Sequence, residues 1–107
     1  MSVRRAAILN MSSILGSIKK NTEGGMYAYR TSKVALNIAT KSMSVDLLPS
    51  QILCVSLHPG WVRTDMGGSK APLDVETATK KMVETIMTFE QKHNGGFYEY
   101  NGKELPW

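Results

Sequence analysis

The run MYAYRTSKVALNIATKSMSVDLL, from Met26 to Leu48, contains neither glycine nor proline, and the fold is read outward from it. Pro49 marks its stop, so it predicts one helix of roughly 22 residues and about 33 Å. Val34, Ala35, Leu36, Ile38, Ala39, Met43, Val45, Leu47 and Leu48 wrap more than one of its faces. A helix apolar on more than one side is covered on more than one side. This one is expected to pack on a sheet and on a further helix or subunit.

Strands are predicted on both sides of it. Ile52-Leu-Cys-Val-Ser-Leu57 is apolar nearly throughout, as a strand buried on both sheet faces should be, and His58-Pro59-Gly60 breaks it sharply. Upstream, Arg5-Ala-Ala-Ile-Leu-Asn-Met-Ser-Ser13 is a short apolar run ending in small polar residues, a buried strand entering a loop. Gly16 and Lys19–Gly25 have loop composition, as does Met66–Pro72. Asp74 is placed to cap a second helix, whose residues Val75, Ala78, Met82, Val83, Ile86 and Phe89 form one stripe. Asn94-Gly95-Gly96 is expected to end that helix through a left-handed cap. Phe97–Tyr100 alternates like a last short strand before Asn101-Gly102. The order is βαβαβ, for which parallel strands with helices on both faces are the natural solution.

The 107 residues allow one domain or half of one. With 42% hydrophobic and 21% charged residues the chain reads as soluble and globular rather than disordered. The longest apolar runs, Ala6–Leu9 and Ile52–Val55, are too short to span a membrane. The stretch after Arg4-Arg5 makes no secretory h-region. Cys54 is the single cysteine, which excludes an internal disulfide and a cysteine-rich zinc site and makes a reduced, cytoplasmic setting the expectation. The net charge of +4 is spread over separate pairs, Arg4-Arg5, Lys19-Lys20 and Lys80-Lys81, with no interleaved aromatics. No nucleic-acid partner is expected. His58 and His93 lack a second ligand at metal spacing, so no metal is expected either.

Chemistry concentrates in Tyr29-Arg-Thr-Ser-Lys33. Four positions apart on the expected helix, Tyr29 and Lys33 share a face. A free phenol titrates near 10, too high for efficient proton exchange at neutral pH, and a neighbouring ammonium lowers that value. The competing reading is a surface lysine lying over a core tyrosine. Tyr27 is a rival, but four residues beyond it stands the uncharged Thr31.

Three pieces recur in a fixed order: Ile8-Leu-Asn10-Met-Ser12-Ser13 at a strand end, Tyr29-x-x-x-Lys33 opening a long helix, and a strand ending in Pro59-Gly60-Trp-Val-Arg-Thr64. Together they resemble the C-terminal half of the short-chain dehydrogenase/reductase family. The stretches Met11–Ser17, Met26–Lys33 and Leu57–Gly68, with the ending Asn101–Trp107, are similar to its C-factor/sniffer-like carbonyl reductases. The resemblance implies the C-terminal part of a Rossmann-like, doubly wound parallel sheet over residues 1–107, the catalytic half of a domain. It implies a nicotinamide cofactor, NADP or NAD, and a small-molecule carbonyl or alcohol substrate. In that light Ser13 is the serine that holds the substrate oxygen, Tyr29 the acid/base, and Lys33 the lysine that grips the nicotinamide ribose and tunes the phenol. Pro59, Gly60 and Val62 would lie along the nicotinamide, with Thr64 near the pyrophosphate. Asn10 resembles a structural asparagine of the family. Trp61 reads as a substrate-pocket wall or as a packing aromatic, and His58 as structural ahead of a substrate-site role.

Two departures from the family pattern stand out. Ser13 and Tyr29 are a few residues further apart than in many members, a difference the Lys19–Gly25 loop can absorb. More seriously, no glycine-rich turn is present to cradle cofactor phosphates. Everything before the family's fifth strand is missing, so the Ala6–Asn10 strand should offer an open edge, and the isolated chain is expected to fold poorly or self-associate. The helix 26–48 resembles the element through which the family pairs subunits. Homo-oligomerisation of a full-length protein is therefore expected, and the alternative is a non-enzymatic fragment that docks on a full-length relative. Gly-x-Ser-x-Gly is absent, which argues against a serine hydrolase.

Overall fold

The computed structural model describes residues 6–61, 68, 70–71 and 73–107. Five main elements follow in order: β1 (Ala7–Met11), α1 (Tyr27–Asp46), β2 (Leu53–His58), α2 (Val75–Met87) and β3 (Phe97–Glu99). Short 3-10 turns cover Ile14–Gly16, Leu48–Ser50 and Gln91–His93. The sheet runs β1-β2-β3 with both pairings parallel, Ala7 opposite Leu53 and Ser56 opposite Phe97. This is the α/β, parallel, doubly wound arrangement expected from the sequence.

Because side chains alternate across a strand, β2 serves two layers at once. Leu53, Val55 and Leu57 point into an apolar core with Phe89 and Tyr98, against which Ala7, Leu9, Met82 and Ile86 pack. That face is covered by α2. The intervening residues of β2 meet α1, and this layer is polar. Thr40 is fully buried; its Oγ1 donates to Leu36 O (3.0 Å) and accepts from Asn10 Nδ2 (2.9 Å) and Ser56 Oγ (2.8 Å). One hydroxyl thus joins β1, β2 and α1. Further along, Asn94 Nδ2 donates to Ser44 O (2.9 Å) while its Oδ1 accepts from Cys54 N (2.9 Å).

The buried face of α1 is therefore Asn37, Thr40 and Ser44, not the apolar residues that its composition suggested. Ile38 and Val45 are 62% and 61% exposed. The expectation that α1 is covered on more than one side is not met by the described residues of this chain. The helix also starts and stops inside the expected 26–48: Met26 is its N-cap in the left-handed region (φ 49°), and Leu48–Ser50 forms a separate turn around Pro49.

A larger correction falls on α2. Asp74 caps it as expected, Oδ1 accepting from Thr77 N at 2.6 Å, but the helix ends at Met87 rather than at Asn94. Thr85 Oγ1 donates to Tyr100 O (2.6 Å) and Thr88 Oγ1 to Thr85 O (2.6 Å), while Phe89 N returns to Ile86 O. The tightened turn lets Phe89 leave the helical path and bury its ring against His93 and Tyr98, with centroids 5.1 and 5.3 Å away. Gly95 (φ 76°) then feeds β3; a Cβ there would stand 2.7 Å from Ser44 Oγ.

The free side of β3 is closed by the residues that follow. Glu99 N donates to Lys103 O and Leu105 N to Phe97 O, and the Trp107 ring stacks on Phe97 (5.3 Å, 17°). Trp107 O accepts from Ile18 N. At the opposite side β1 has no further strand beside it among the described residues.

Candidate active site

Parallel strands end on the same side of a sheet, and ligands of open α/β folds sit beyond those ends. Here the ends of β1 and β2 and the start of α1 border an open cleft of about 850 Å³. Ser13 and Tyr29 line it together with His58, Pro59, Gly60 and Trp61. Lys33 is not in the lining but stands one helical turn from Tyr29, its Nζ 5.6 Å from the ring centroid and 3.3 Å from Met11 O, which accepts its proton. Val62 and Thr64 lie outside the described residues.

Each group is placed by a local rule. Ser12 N donates to Leu57 O, which carries the β1–β2 ladder one step past the strand. Ser13 then caps the Ile14–Gly16 turn: its Oγ accepts from Leu15 N (3.1 Å) and its carbonyl from Gly16 N (2.8 Å). An oxygen that has accepted keeps its own hydrogen for donation. Ser13 is therefore prepared as a donor, and it is largely buried.

Gly16 sets how close α1 comes to that turn. A Cβ there would lie 2.9 Å from both Lys33 Cβ and Asn37 Nδ2, and the Asn37 amide donates to Gly16 O (3.2 Å). The sequence reading took Gly16 only as a loop residue, because nothing in its local context announces Lys33 and Asn37, 17 and 21 positions on, as its neighbours. Gly60 has φ 87°, and a Cβ there would press on Leu73 Cδ1 at 2.6 Å and the Tyr100 ring at 3.0 Å. The sharp break after His58 thus needs that glycine.

The remaining candidates separate clearly. Tyr27 is 83% exposed and does not border the cleft. Asn10 is engaged with Thr40, in a structural bond. His58 accepts from Ile14 N through Nδ1 (3.2 Å); burial pushes its imidazole below the ordinary value, with the Glu99 carboxylate opposing. His93 accepts from Glu90 N (2.8 Å) and packs on Phe89 and Tyr98. Trp61, 58% exposed, forms one wall. Burial pushes the Cys54 thiol up. Among the described residues no group of metal-binding side chains occurs, and no helix is long and apolar enough to cross a membrane.

The donor set fits the nicotinamide-ribose end of a cofactor. Lys33 Nζ uses one proton on Met11 O and has two more to offer ribose hydroxyls, next to the Tyr29 phenol. The sequence contains no glycine-rich strand-to-helix turn to cradle the phosphates.

Residues 1–74 match the family model described as short chain dehydrogenase. The chain is 47% identical over 106 residues to the C-signal protein of Myxococcus xanthus, a match covering 99% of this chain and 63% of that one. Among solved structures, the carbonyl reductase Sniffer of D. melanogaster superposes with a TM-score of 0.93 at 70% identity, over 95% of this chain and 41% of that one. The NADPH-bound carbonyl reductase from chicken fatty liver gives 0.88 at 38% identity, over 95% and 43%. The chain thus spans less than two thirds of each of these relatives.

Proposed function

Since this chain belongs to the short-chain dehydrogenase family, we propose that it carries the catalytic half of a carbonyl reductase that uses NADP or NAD. The observation that carries this reading is the convergence of Ser13, Tyr29 and the Pro59-Gly60 corner on one cleft, with Lys33 one turn from Tyr29. When bound, the nicotinamide supplies a hydride to the carbonyl carbon or accepts one from the alcohol.

The residues divide the remaining work. The Ser13 hydroxyl, whose oxygen is already satisfied by Leu15 N, donates to the substrate oxygen. The Tyr29 hydroxyl gives that oxygen its proton in reduction and takes it back in oxidation, a general acid/base role. Lys33 keeps positive charge beside the phenol and reaches the ribose hydroxyls. By likeness to the family motif, the backbone at Pro59, Gly60 and Val62 would lie along the nicotinamide, with Thr64 toward the pyrophosphate. Trp61 and the apolar side chains of the cleft hold a small carbonyl compound and exclude water.

The test is carbonyl-dependent NAD(P)H oxidation by the full-length parent protein and by its Tyr29→Phe variant. Loss of the general acid should cost about 10²–10⁴ in kcat. A Tyr29→Phe protein of unchanged rate removes Tyr29 from the mechanism.

The exposed outer face of α1, with Ile38 and Val45, supports pairing of two copies through this helix. The alternative reading is a fragment that docks on a longer relative. Titration with NAD(P)H separates these readings: tight binding by the 107 residues alone defeats the docking fragment. The lone, buried Cys54 is in keeping with a reducing, cytoplasmic setting.

A further inference from the structure

The turn that carries Ser13 is held by a side chain that the chemistry above does not use. Leu15 N is satisfied by Ser13 Oγ, and the neighbouring donor, Ile14 N, goes to His58 Nδ1 at 3.2 Å. An imidazole nitrogen accepts only when it carries no proton, so in the neutral ring the proton lies on Nε2. The two partners are 44 positions apart and follow or end neighbouring strands. Beyond the Ser12 N to Leu57 O bond, this contact ties the exit of β1 to the end of β2 at the mouth of the cleft.

We propose that His58 is a positioning residue for Ser13. Its bare Nδ1 holds the Ile14 amide, and with it the turn that aims the Ser13 hydroxyl; a proton on the ring withdraws that acceptor and releases the turn. The catalytic consequence rests on the role given to Ser13 above, whereas the hydrogen bond and its loss do not.

The charged surroundings of His58 are few among the described residues. From β3, Glu99 stands opposite it in register and favours the protonated ring. From α1, Tyr29 borders the same cleft and Lys33 lies beside Tyr29. From α2, the wall residues Ala78, Thr79 and Met82 carry no charge, and neither do Met11 and Ser12 at the end of β1. Burial outweighs Glu99 and keeps the ring neutral at physiological pH.

NMR of the full chain, labelled with nitrogen-15 and titrated from neutral to acid pH, tests this. The neutral ring should show its proton on Nε2, and the Ile14 amide should shift with the same midpoint as the His58 ring. In His58→Asn a side-chain oxygen can take the place of Nδ1 without titrating. That variant should keep the Ile14 amide where it stands at neutral pH and remove its pH dependence, while His58→Phe should displace it at every pH. In carbonyl-dependent NAD(P)H oxidation, His58→Phe should lower kcat/KM by about ten- to a hundredfold, with His58→Asn restoring it and flattening the acid limb. An Ile14 amide indifferent to the His58 titration, or unmoved in His58→Phe, overturns the proposal. A full-length wild-type protein that oxidises no NAD(P)H with any carbonyl ends the reductase reading, and the spectroscopic result still decides the role of His58.

Discussion

Three single residues concentrate the forces that shape the cleft. Thr40 is the acceptor for two strands at once, so Thr40→Val leaves Asn10 Nδ2 and the Ser56 hydroxyl without their partner. Orphaning buried donors costs about 1–3 kcal/mol, which should appear as a lowered urea midpoint with an unchanged slope. Gly16→Ala forces a methyl to 2.9 Å from Lys33 Cβ and 3.1 Å from the Lys33 backbone. Overpacking of this kind costs about 1–3 kcal/mol. Because the displaced element is the turn of α1 that bears Lys33, the variant should also lose reductase activity out of proportion to its lost stability.

His58 adds a pH dependence of defined sign. Burial holds the folded imidazole below its ordinary value of 6.5, so the unfolded chain takes up the proton first as the pH falls. Its contribution to stability is complete above that value and is lost as the pH drops toward the folded-state midpoint. A thermal midpoint that declines below about pH 6.5 in the wild type and less steeply in His58→Asn is the expected outcome.

At the level of elements, α2 depends on its first turn. Asp74→Ala removes the acceptor for Thr77 N and should cost about 0.5–2 kcal/mol, read as a lower melting temperature with fraying of that turn. This cap was legible in the sequence because an N-cap is a local pattern: an acidic side chain immediately before an apolar stripe. The other end was not. The residues that stop α2 do so through Tyr100 O and the burial of Phe89 against Tyr98, partners that sequence order hides. A similar limit applies to α1. Its glycine-free run gave the helix, yet composition pointed to apolar burial where the structure buries Asn37, Thr40 and Ser44. Asn37 and Thr40 meet partners at Gly16 O and on β1 and β2, while the Ser44 hydroxyl turns back to Lys41 O and its carbonyl accepts from Asn94, pairings that no periodicity count can register. The motif residues Ser13, Tyr29 and Pro59-Gly60 were legible for the opposite reason: each sits at the end of an element whose ends are announced by small residues, glycine or proline.

At the scale of the molecule, the outer face of α1, with Ile38 and Val45, and the free side of β1 are uncovered among the described residues of a single copy. An unpaired strand edge next to apolar surface favours association between copies. Sedimentation of the purified 107-residue chain should therefore show mass rising with concentration. A clean monomer that unfolds in one cooperative transition would contradict this.

The parallel sheet has a kinetic consequence too. Ala7 waits for Leu53 and Ser56 waits for Phe97, each across an intervening helix, so no two strands can zip together from a tight turn. A chain built only from such distant pairings closes its loops late and slowly, and β1 can pair with β2 only after the whole of α1 and then β2 have emerged. The rate at which this molecule reaches its native state is thus set by connectivity more than by the strength of any contact, and a chaperone that shields the waiting strand would raise the yield without altering the final structure.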